Sequence, residues 1–208
     1  GEDLKIEIKD DNTKISIKQV KNTPQKGELV LEKKANILKG IRVENGITNL
    51  VFEEGYLAGT KWHLIANEDI MSFDGQTKLH SKGDVVKEIV TNGKDKVVTS
   101  DIALGKYILK EVEVNSKYVL DTKEYEIEFT PQEPQVKVDS KTERKFNERK
   151  EVEFEVIKEF EDSKHLTFNP KAEFGLFLKE DYTENGVTIK KDSLIQKMTV
   201  NVNDIKEN

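Results

Sequence analysis

Cysteine is absent from the 208-residue chain, and its absence limits both covalent and metal chemistry. Without thiols the chain forms no disulfide bond and offers no thiolate ligand to zinc. Its three histidines, His63, His80 and His165, lie far apart, without the short spacing of a zinc motif. We therefore expect no metal and no other cofactor, and some other device must stabilise any small exposed domain.

Long apolar segments and blocks of like charge are missing too. No run approaches the ~18 apolar residues of a membrane span, and residues 1–26 lack the apolar centre of a signal peptide. The 34 basic and 40 acidic residues alternate and leave a net charge of −6, without the basic face that binds nucleic acid. Glycine-rich phosphate loops, serine nucleophile elbows and EF-hand spacing are also lacking. The sequence thus predicts no membrane insertion, no nucleic-acid partner and no enzyme.

What the chain does contain is the alternation typical of β-strands. Apolar residues recur at every second position in short segments, and turn-forming pairs such as Asn45-Gly46 and Asn185-Gly186 separate them. Short strands joined by frequent turns predict an all-β sandwich or barrel. The alternating sets are Leu4-Ile6-Ile8, Leu29-Leu31, Trp62-Leu64, Ile108-Val112-Val114, Tyr125-Ile127-Phe129 and Phe154-Val156.

Two pairs of similar segments indicate an internal repeat. Residues 22–33 and 147–158 both begin with Asn and end with Lys, and each places two apolar residues and that Lys on one strand face. Residues 60–69 and 172–181 form a second pair in the same order. The two copies of the second pair lie about 13 residues closer together in the sequence than the two copies of the first pair. The first module therefore carries an insertion of that length, which we place within Asn36–Tyr56.

The repeat predicts module boundaries near residues 26 and 148. Residues 1–26 are expected to be the closing strands of a preceding module or a linker, residues 27–148 a complete sandwich, and residues 149–208 an incomplete second module. An unfinished sandwich leaves strand edges unpaired. We therefore expect residues 1–22 to complement such an edge in the same or a neighbouring chain.

Four motifs follow one another in a distinctive order. They are Gly27-Glu-Leu-Val-Leu-Glu-Lys33, Leu57-Ala-Gly-Thr-Lys-Trp-His-Leu64, Leu104-Gly-Lys-Tyr-Ile-Leu-Lys-Glu111 and Tyr118-Val-Leu120. This order resembles the Cna protein B-type (SpaA-like, prealbumin-like) repeat domain of Gram-positive pilins and adhesins. The resemblance implies an all-β chain of tandem immunoglobulin-like (inverse Ig, prealbumin-like) β-sandwich modules. It also implies an extracellular, cell-surface location, with cell-wall anchoring in the full-length protein.

The resemblance further implies a spontaneous intramolecular isopeptide bond. It assigns Lys33 as the amine, Asn147 as the acceptor and Glu111 as the acid that shuttles protons. Two alternatives remain from the residues themselves. Lys34 is the alternative amine, although strand alternation points it to the face opposite Lys33. Asp139 is the alternative acceptor, since Asn147 has the residue type of an ordinary turn.

Two functions are compatible with these features. The first is a structural stalk that holds a distal domain away from the cell, with a host extracellular protein as the partner of that distal domain. The alternative is a host-ligand-binding module that uses the insertion at residues 36–56 or the loops at residues 70–82, because binding concentrates in such loops.

Overall fold

The computed structural model describes residues 23–158 and 171–201, and these residues form fourteen β-strands and no helix. The strands are β1 (Lys26–Glu44), β2 (Ile47–Tyr56), β3 (Ala58–Ala66), β4 (Ile70–Met71), β5 (Lys78–His80), β6 (Val85–Asn92), β7 (Val97–Ile102), β8 (Gly105–Glu113), β9 (Glu124–Phe129), β10 (Val138–Asn147), β11 (Lys171–Phe177), β12 (Tyr182–Glu184), β13 (Val187–Ile189) and β14 (Leu194–Asn201). The all-β prediction is confirmed. Within residues 23–158 and 171–201, no helix is long and apolar enough to cross a membrane.

The first sheet is organised by β1, a strand of 19 residues that serves different neighbours along its length. Its first half, from Lys26 to Ala35, pairs in parallel with β10, and on its other edge it pairs antiparallel with β7. Its second half pairs antiparallel with β2. The first and tenth strands are therefore adjacent and run in the same direction.

The second sheet has the strand order β6-β3-β8-β9 and packs face to face with the first. Alternation along β3 buries Trp62, Leu64 and Ala66, as the sequence predicts. These residues meet Leu29 and other core residues of the first sheet in one apolar cluster. The two sheets approach so closely that a Cβ atom at Gly27 would lie 2.5 Å from the Phe129 ring. The prediction of a β-sandwich is confirmed.

Strand β8 buries the face opposite to the alternating set Ile108-Val112-Val114. Tyr107, Leu109 and Glu111 are the residues of β8 that face the core. Because β8 is an inner strand with apolar residues on both faces, alternation alone does not decide which face is buried.

The predicted insertion is a long β-hairpin. It consists of the second half of β1 and all of β2, joined by Asn45 and Gly46, which both have positive φ. Two-residue Asn-Gly turns with this geometry match the twist of paired strands. Leu38 is fully buried within the hairpin, and Phe52 packs under the guanidinium of Arg149. The hairpin thus extends the first sheet toward the second half of the chain.

The second half contains two small antiparallel pairs, β11 with β14 and β12 with β13. Asn185 and Gly186 form the turn between β12 and β13, as predicted. The strand predicted at Phe154–Val156 is wrong, because residues 150–158 form no strand and Phe154 is exposed. Alternation creates a strand only when a neighbour pairs its backbone, and no described strand lies beside this segment. The set Leu4-Ile6-Ile8 lies outside the described residues.

Candidate functional site

Lys33, Glu111 and Asn147, which we call the interior triad, lie together between the two sheets with 1%, 1% and 2% of their surface exposed. Lys33 is aligned with Lys145 of the neighbouring strand β10, and Asn147 follows two residues later. Side chains two positions apart on a strand share a face, so Lys33 and Asn147 both point inward. Glu111 reaches them from β8 of the opposite sheet, where it pairs with Trp62.

Glu111 connects the other two members of the triad. Its Oε1 atom lies 3.4 Å from Lys33 Nζ, and its Oε2 atom accepts a hydrogen bond of 2.8 Å from Asn147 Nδ2. The backbone N–H of Asp121 donates to the same Oε2 atom at 2.8 Å. Asn147 Nδ2 also donates to the backbone carbonyl of Val119. One amide nitrogen is therefore held by two acceptors, while the amine faces the other carboxyl oxygen.

Three buried polar atoms of the triad have no hydrogen-bond partner: Lys33 Nζ, Glu111 Oε1 and Asn147 Oδ1. The 3.4 Å contact between Nζ and Oε1 is within ion-pair distance, but it is not aligned as a hydrogen bond. A buried polar atom without a partner costs roughly 1–3 kcal/mol, so folded proteins rarely tolerate several of them in one place. Their concentration on three neighbouring side chains makes this interior the candidate functional site.

Burial lowers the pKa of Lys33 below the ordinary value of 10.5, an effect that the nearby Glu111 carboxyl partly opposes. The amine also lies 4.9 Å from the centre of the buried Trp62 ring, which leaves little room for water. Desolvation favours the neutral form of an amine, and the neutral form is the nucleophile. The arrangement therefore places an amine of lowered pKa and a carboxamide beside the same buried carboxyl group.

The two alternatives from the sequence lie elsewhere. Lys34 points to the outer face, where its amine contacts Glu54 at 2.9 Å, and this hydrogen bond raises its pKa. Asp139 is aligned with Gly27 at the far end of β1 and accepts a hydrogen bond from the Thr130 N–H. The structure brings neither of them to the interior triad.

A second group of charged side chains, centred on the buried Glu184, was not found from the sequence. We call Lys117, Tyr118, Arg149, Tyr182 and Glu184 the Glu184 cluster. Arg149 donates to both oxygens of Glu184, at 2.8 and 3.0 Å, Lys117 donates at 3.1 Å, and Tyr182 donates through its hydroxyl. Hydrogen bonds from Arg149 above all lower the pKa of Glu184 to about 2. The cluster joins the first sandwich to β12.

Residues 23–158 and 171–201 contain no group of three or more acidic, histidine or cysteine side chains suited to an ion. The aspartates of the 69–84 loops instead accept hydrogen bonds from their own backbone. Asp69 binds the Lys82 N–H, and Asp74 binds the Gln76 N–H. These carboxylates therefore order their loops.

Several solved structures resemble the chain at low similarity. GBS52, the minor pilin of Streptococcus agalactiae, is 20% identical with a TM-score of 0.40, over 64% of this chain and 49% of that one. The TIE protein of Bacillus anthracis is 17% identical with a TM-score of 0.42, over 85% and 27%. SpaD, the major pilin of Corynebacterium diphtheriae, is 14% identical with a TM-score of 0.38, over 76% and 33%. The chain spans about half or less of the length of each of these structures.

Sequence comparison is more specific. No curated protein matches the chain significantly. Residues 52–144, however, match the SpaA family, described as a prealbumin-like fold domain. The matched range includes Glu111 and ends three residues before Asn147, with Lys33 outside it. This match confirms the resemblance to the SpaA-like, prealbumin-like domain over residues 52–144, the range that contains the motifs Leu57–Leu64, Leu104–Glu111 and Tyr118–Leu120.

Proposed function

We propose that the chain is a structural stalk segment of a cell-surface protein, and that an isopeptide bond between Lys33 and Asn147 stabilises its first sandwich. The observation that carries the proposal is the interior triad, in which an amine of lowered pKa and a carboxamide share one buried carboxyl group. In the same proposal the protein is extracellular and anchored to the cell wall. Its partners are a host protein bound by a distal domain or a neighbouring chain.

The proposed reaction is an amide exchange within the chain. A proton passes between Lys33 and Glu111, which gives a neutral amine and a carboxylic acid. The amine attacks Cγ of Asn147 while the acid polarises the carboxamide. The Cγ–Nδ2 bond then breaks, the new Cγ–Nζ bond remains, and one proton moves from Nζ through Glu111 to the departing nitrogen. One ammonia leaves, and because the reaction occurs once per chain, the protein is not an enzyme.

The position of this bond suits a protein that carries load. A pulling force enters at the start of β1 and leaves at the end of β10, two parallel neighbours. A covalent link between Lys33 and Asn147 carries this force directly and bypasses the residues between them. By the chain-entropy estimate for cross-links, closing a loop of this length stabilises the fold by about 4–5 kcal/mol.

Intact mass spectrometry tests the proposal. We expect the wild-type chain to weigh one ammonia less than its sequence, and Lys33→Arg, Glu111→Gln and Asn147→Ala to have their full sequence masses. Lys34→Arg is the matched control, because this neighbouring lysine faces outward, and it should retain the ammonia deficit. Fragmentation should locate the cross-link between residues 33 and 147. A wild-type mass equal to the sequence mass refutes the proposal.

One observation favours ligand binding as a second function. Phe73 is 75% exposed at the tip of the 70–82 loops, and Met71 and Leu79 are exposed beside it. These residues line a crevice together with Leu104. The 36–56 hairpin also exposes Ile41 and Val43, while its Phe52 packs against the Arg149 guanidinium. If this function holds, Phe73→Ser reduces binding to a panel of immobilised extracellular host proteins, and an unchanged binding profile rejects the loop as the contact.

A further inference from the structure

The segment that follows Asn147 turns back onto another part of the first sandwich. The Val119 N–H donates to the Glu148 carbonyl and the Lys150 N–H donates to the Lys117 carbonyl, both at 2.9 Å. Residues 118 and 149 are bridged between these two bonds. We call this pair of segments the 117–119/148–150 ladder. Its Val119 carbonyl is also an acceptor for the Asn147 side chain, so the ladder helps to hold the amide of the interior triad.

Each segment of this ladder contributes one positive charge. Lys117 belongs to one segment and Arg149 to the other, and both bind the carboxylate of Glu184. Glu184 is 8% exposed and belongs to β12, outside the first sandwich. Like charges on facing segments repel each other, most strongly where water is excluded. The ladder is therefore closed by an anion that a different part of the chain supplies.

We propose that Glu184 is a positioning residue for the bond between Lys33 and Asn147, a role that rests on the proposed function. By neutralising Lys117 and Arg149, Glu184 keeps the ladder closed and the Asn147 amide against Glu111. The isopeptide bond of the first sandwich then forms efficiently only after β12 has packed against that sandwich. The order in which the parts of the stalk fold is thus coupled to the order in which their cross-links form.

The physical reason is geometric. When the carboxylate is removed, the two cations push the segments of the ladder apart, and the Val119 carbonyl withdraws from Asn147 Nδ2. The carboxamide then rotates more freely and spends less time in line with the Lys33 amine. Small misplacements of reacting groups reduce rates by large factors. The rate of bond formation, rather than the identity of the product, is therefore the quantity that Glu184 controls.

The test measures this rate in the full chain. Cell-free synthesis is stopped with acid at successive times, and intact mass gives the fraction that has lost ammonia. We expect Glu184→Gln to slow this loss by about tenfold. Asp181→Asn is the matched control, because this carboxylate lies in the same part of the chain but contacts Lys190, outside the ladder. It should leave the rate unchanged.

A charge rescue separates positioning from a general structural effect. If repulsion opens the ladder, combining Lys117→Gln with Glu184→Gln restores much of the wild-type rate of bond formation. If the two substitutions instead cause independent structural defects, the double variant is slower than either single variant. Fluorescence of the buried Trp62 reports whether each variant folds. If Glu184→Gln does not fold, Glu184→Asp is measured in its place. It should slow ammonia loss relative to the wild-type chain, but by less than about tenfold.

The outcomes distinguish this inference from the function on which it rests. If wild-type chain never loses ammonia, the proposed function fails. If the wild-type chain and Glu184→Gln lose ammonia at the same rate, only the positioning role is overturned. A double variant slower than the single variant also overturns it.

Discussion

Two buried carboxylates, Glu111 and Glu184, differ in how completely their oxygens are hydrogen-bonded. Glu184 accepts hydrogen bonds from Arg149, Lys117 and Tyr182, and both of its oxygens are satisfied. Glu111 has one satisfied oxygen, and the other faces the Lys33 amine without a hydrogen bond. A fully satisfied buried carboxylate fixes structure, whereas a partly satisfied one stores unfavourable energy that a reaction can release. Because both carboxylates are buried, the difference between them is whether both carboxyl oxygens accept hydrogen bonds.

The lysines of the two sites differ in the same way. The pKa of Lys117 is raised, first by its hydrogen bond with Tyr182 and then by Glu184. The pKa of Lys33 is lowered, because desolvation outweighs the attraction of Glu111. Hydrogen bonds therefore favour the charged form of Lys117, whereas desolvation favours the neutral form of Lys33.

Removing the amine should produce the largest effect. Lys33→Met keeps an apolar chain of similar length but prevents the cross-link, so we expect the free energy of unfolding to fall by about 4–5 kcal/mol. Urea denaturation measures the loss. Lys34→Met is the matched control and should change the unfolding midpoint little, since Lys34 lies on the outer face. Equal midpoints for Lys33→Met and the wild-type chain would contradict the cross-link.

The satisfied carboxylate should matter less, although it makes more hydrogen bonds. Glu184→Gln leaves Arg149 and Lys117 without their anion, and we expect a loss of about 2–3 kcal/mol in the free energy of unfolding. The measurement uses chains whose mass shows complete ammonia loss, so that the cross-link is equal in both. A double-mutant cycle with Arg149→Met should reveal coupling between residues 149 and 184. Additive effects would show that the bidentate contact is energetically unimportant.

The interior triad was accessible from the sequence, whereas the Glu184 cluster was not. Strand alternation places Lys33 on the same face as Leu29 and Leu31, which are fully buried, and the family motif ends on Glu111. Arg149 and Lys117 lie 35 and 67 residues from Glu184, and no periodic pattern connects them. Their meeting depends on how β12 packs against the first sandwich, which is a tertiary property that local sequence does not encode.

Acid should weaken the Glu184 contribution in a defined range. The pKa of Glu184 falls from an ordinary 4.5 to about 2 on folding, so the unfolded chain takes up this proton first as the pH drops. The stabilisation is complete above about pH 5 and is lost as the pH falls through the folded-state pKa. The difference in unfolding free energy between the wild-type chain and Glu184→Gln should shrink over this range. A difference that stays constant down to about pH 2 would show that Glu184 does not titrate as described.

The smallest effect should come from a charge pair that is close but exposed. Lys110 precedes Glu111 on β8 and faces solvent, where its amine lies 2.8 Å from Glu124 with the two side chains 39% and 52% exposed. This contact is shorter than the 3.4 Å between Lys33 and Glu111. Water and salt screen it, so Glu124→Gln should lower the free energy of unfolding by no more than about 0.5 kcal/mol, and by less at high salt.

Urea denaturation at low and high salt measures this change, and intact mass should show that ammonia loss is unaffected. Moving one residue along β8, from Lys110 to Glu111, takes the side chain from the surface into the core. If burial rather than distance determines how much a charged contact stabilises the fold, the shorter but exposed Lys110–Glu124 contact contributes less than the buried contacts. A loss for Glu124→Gln as large as that for Glu184→Gln would remove burial as the explanation.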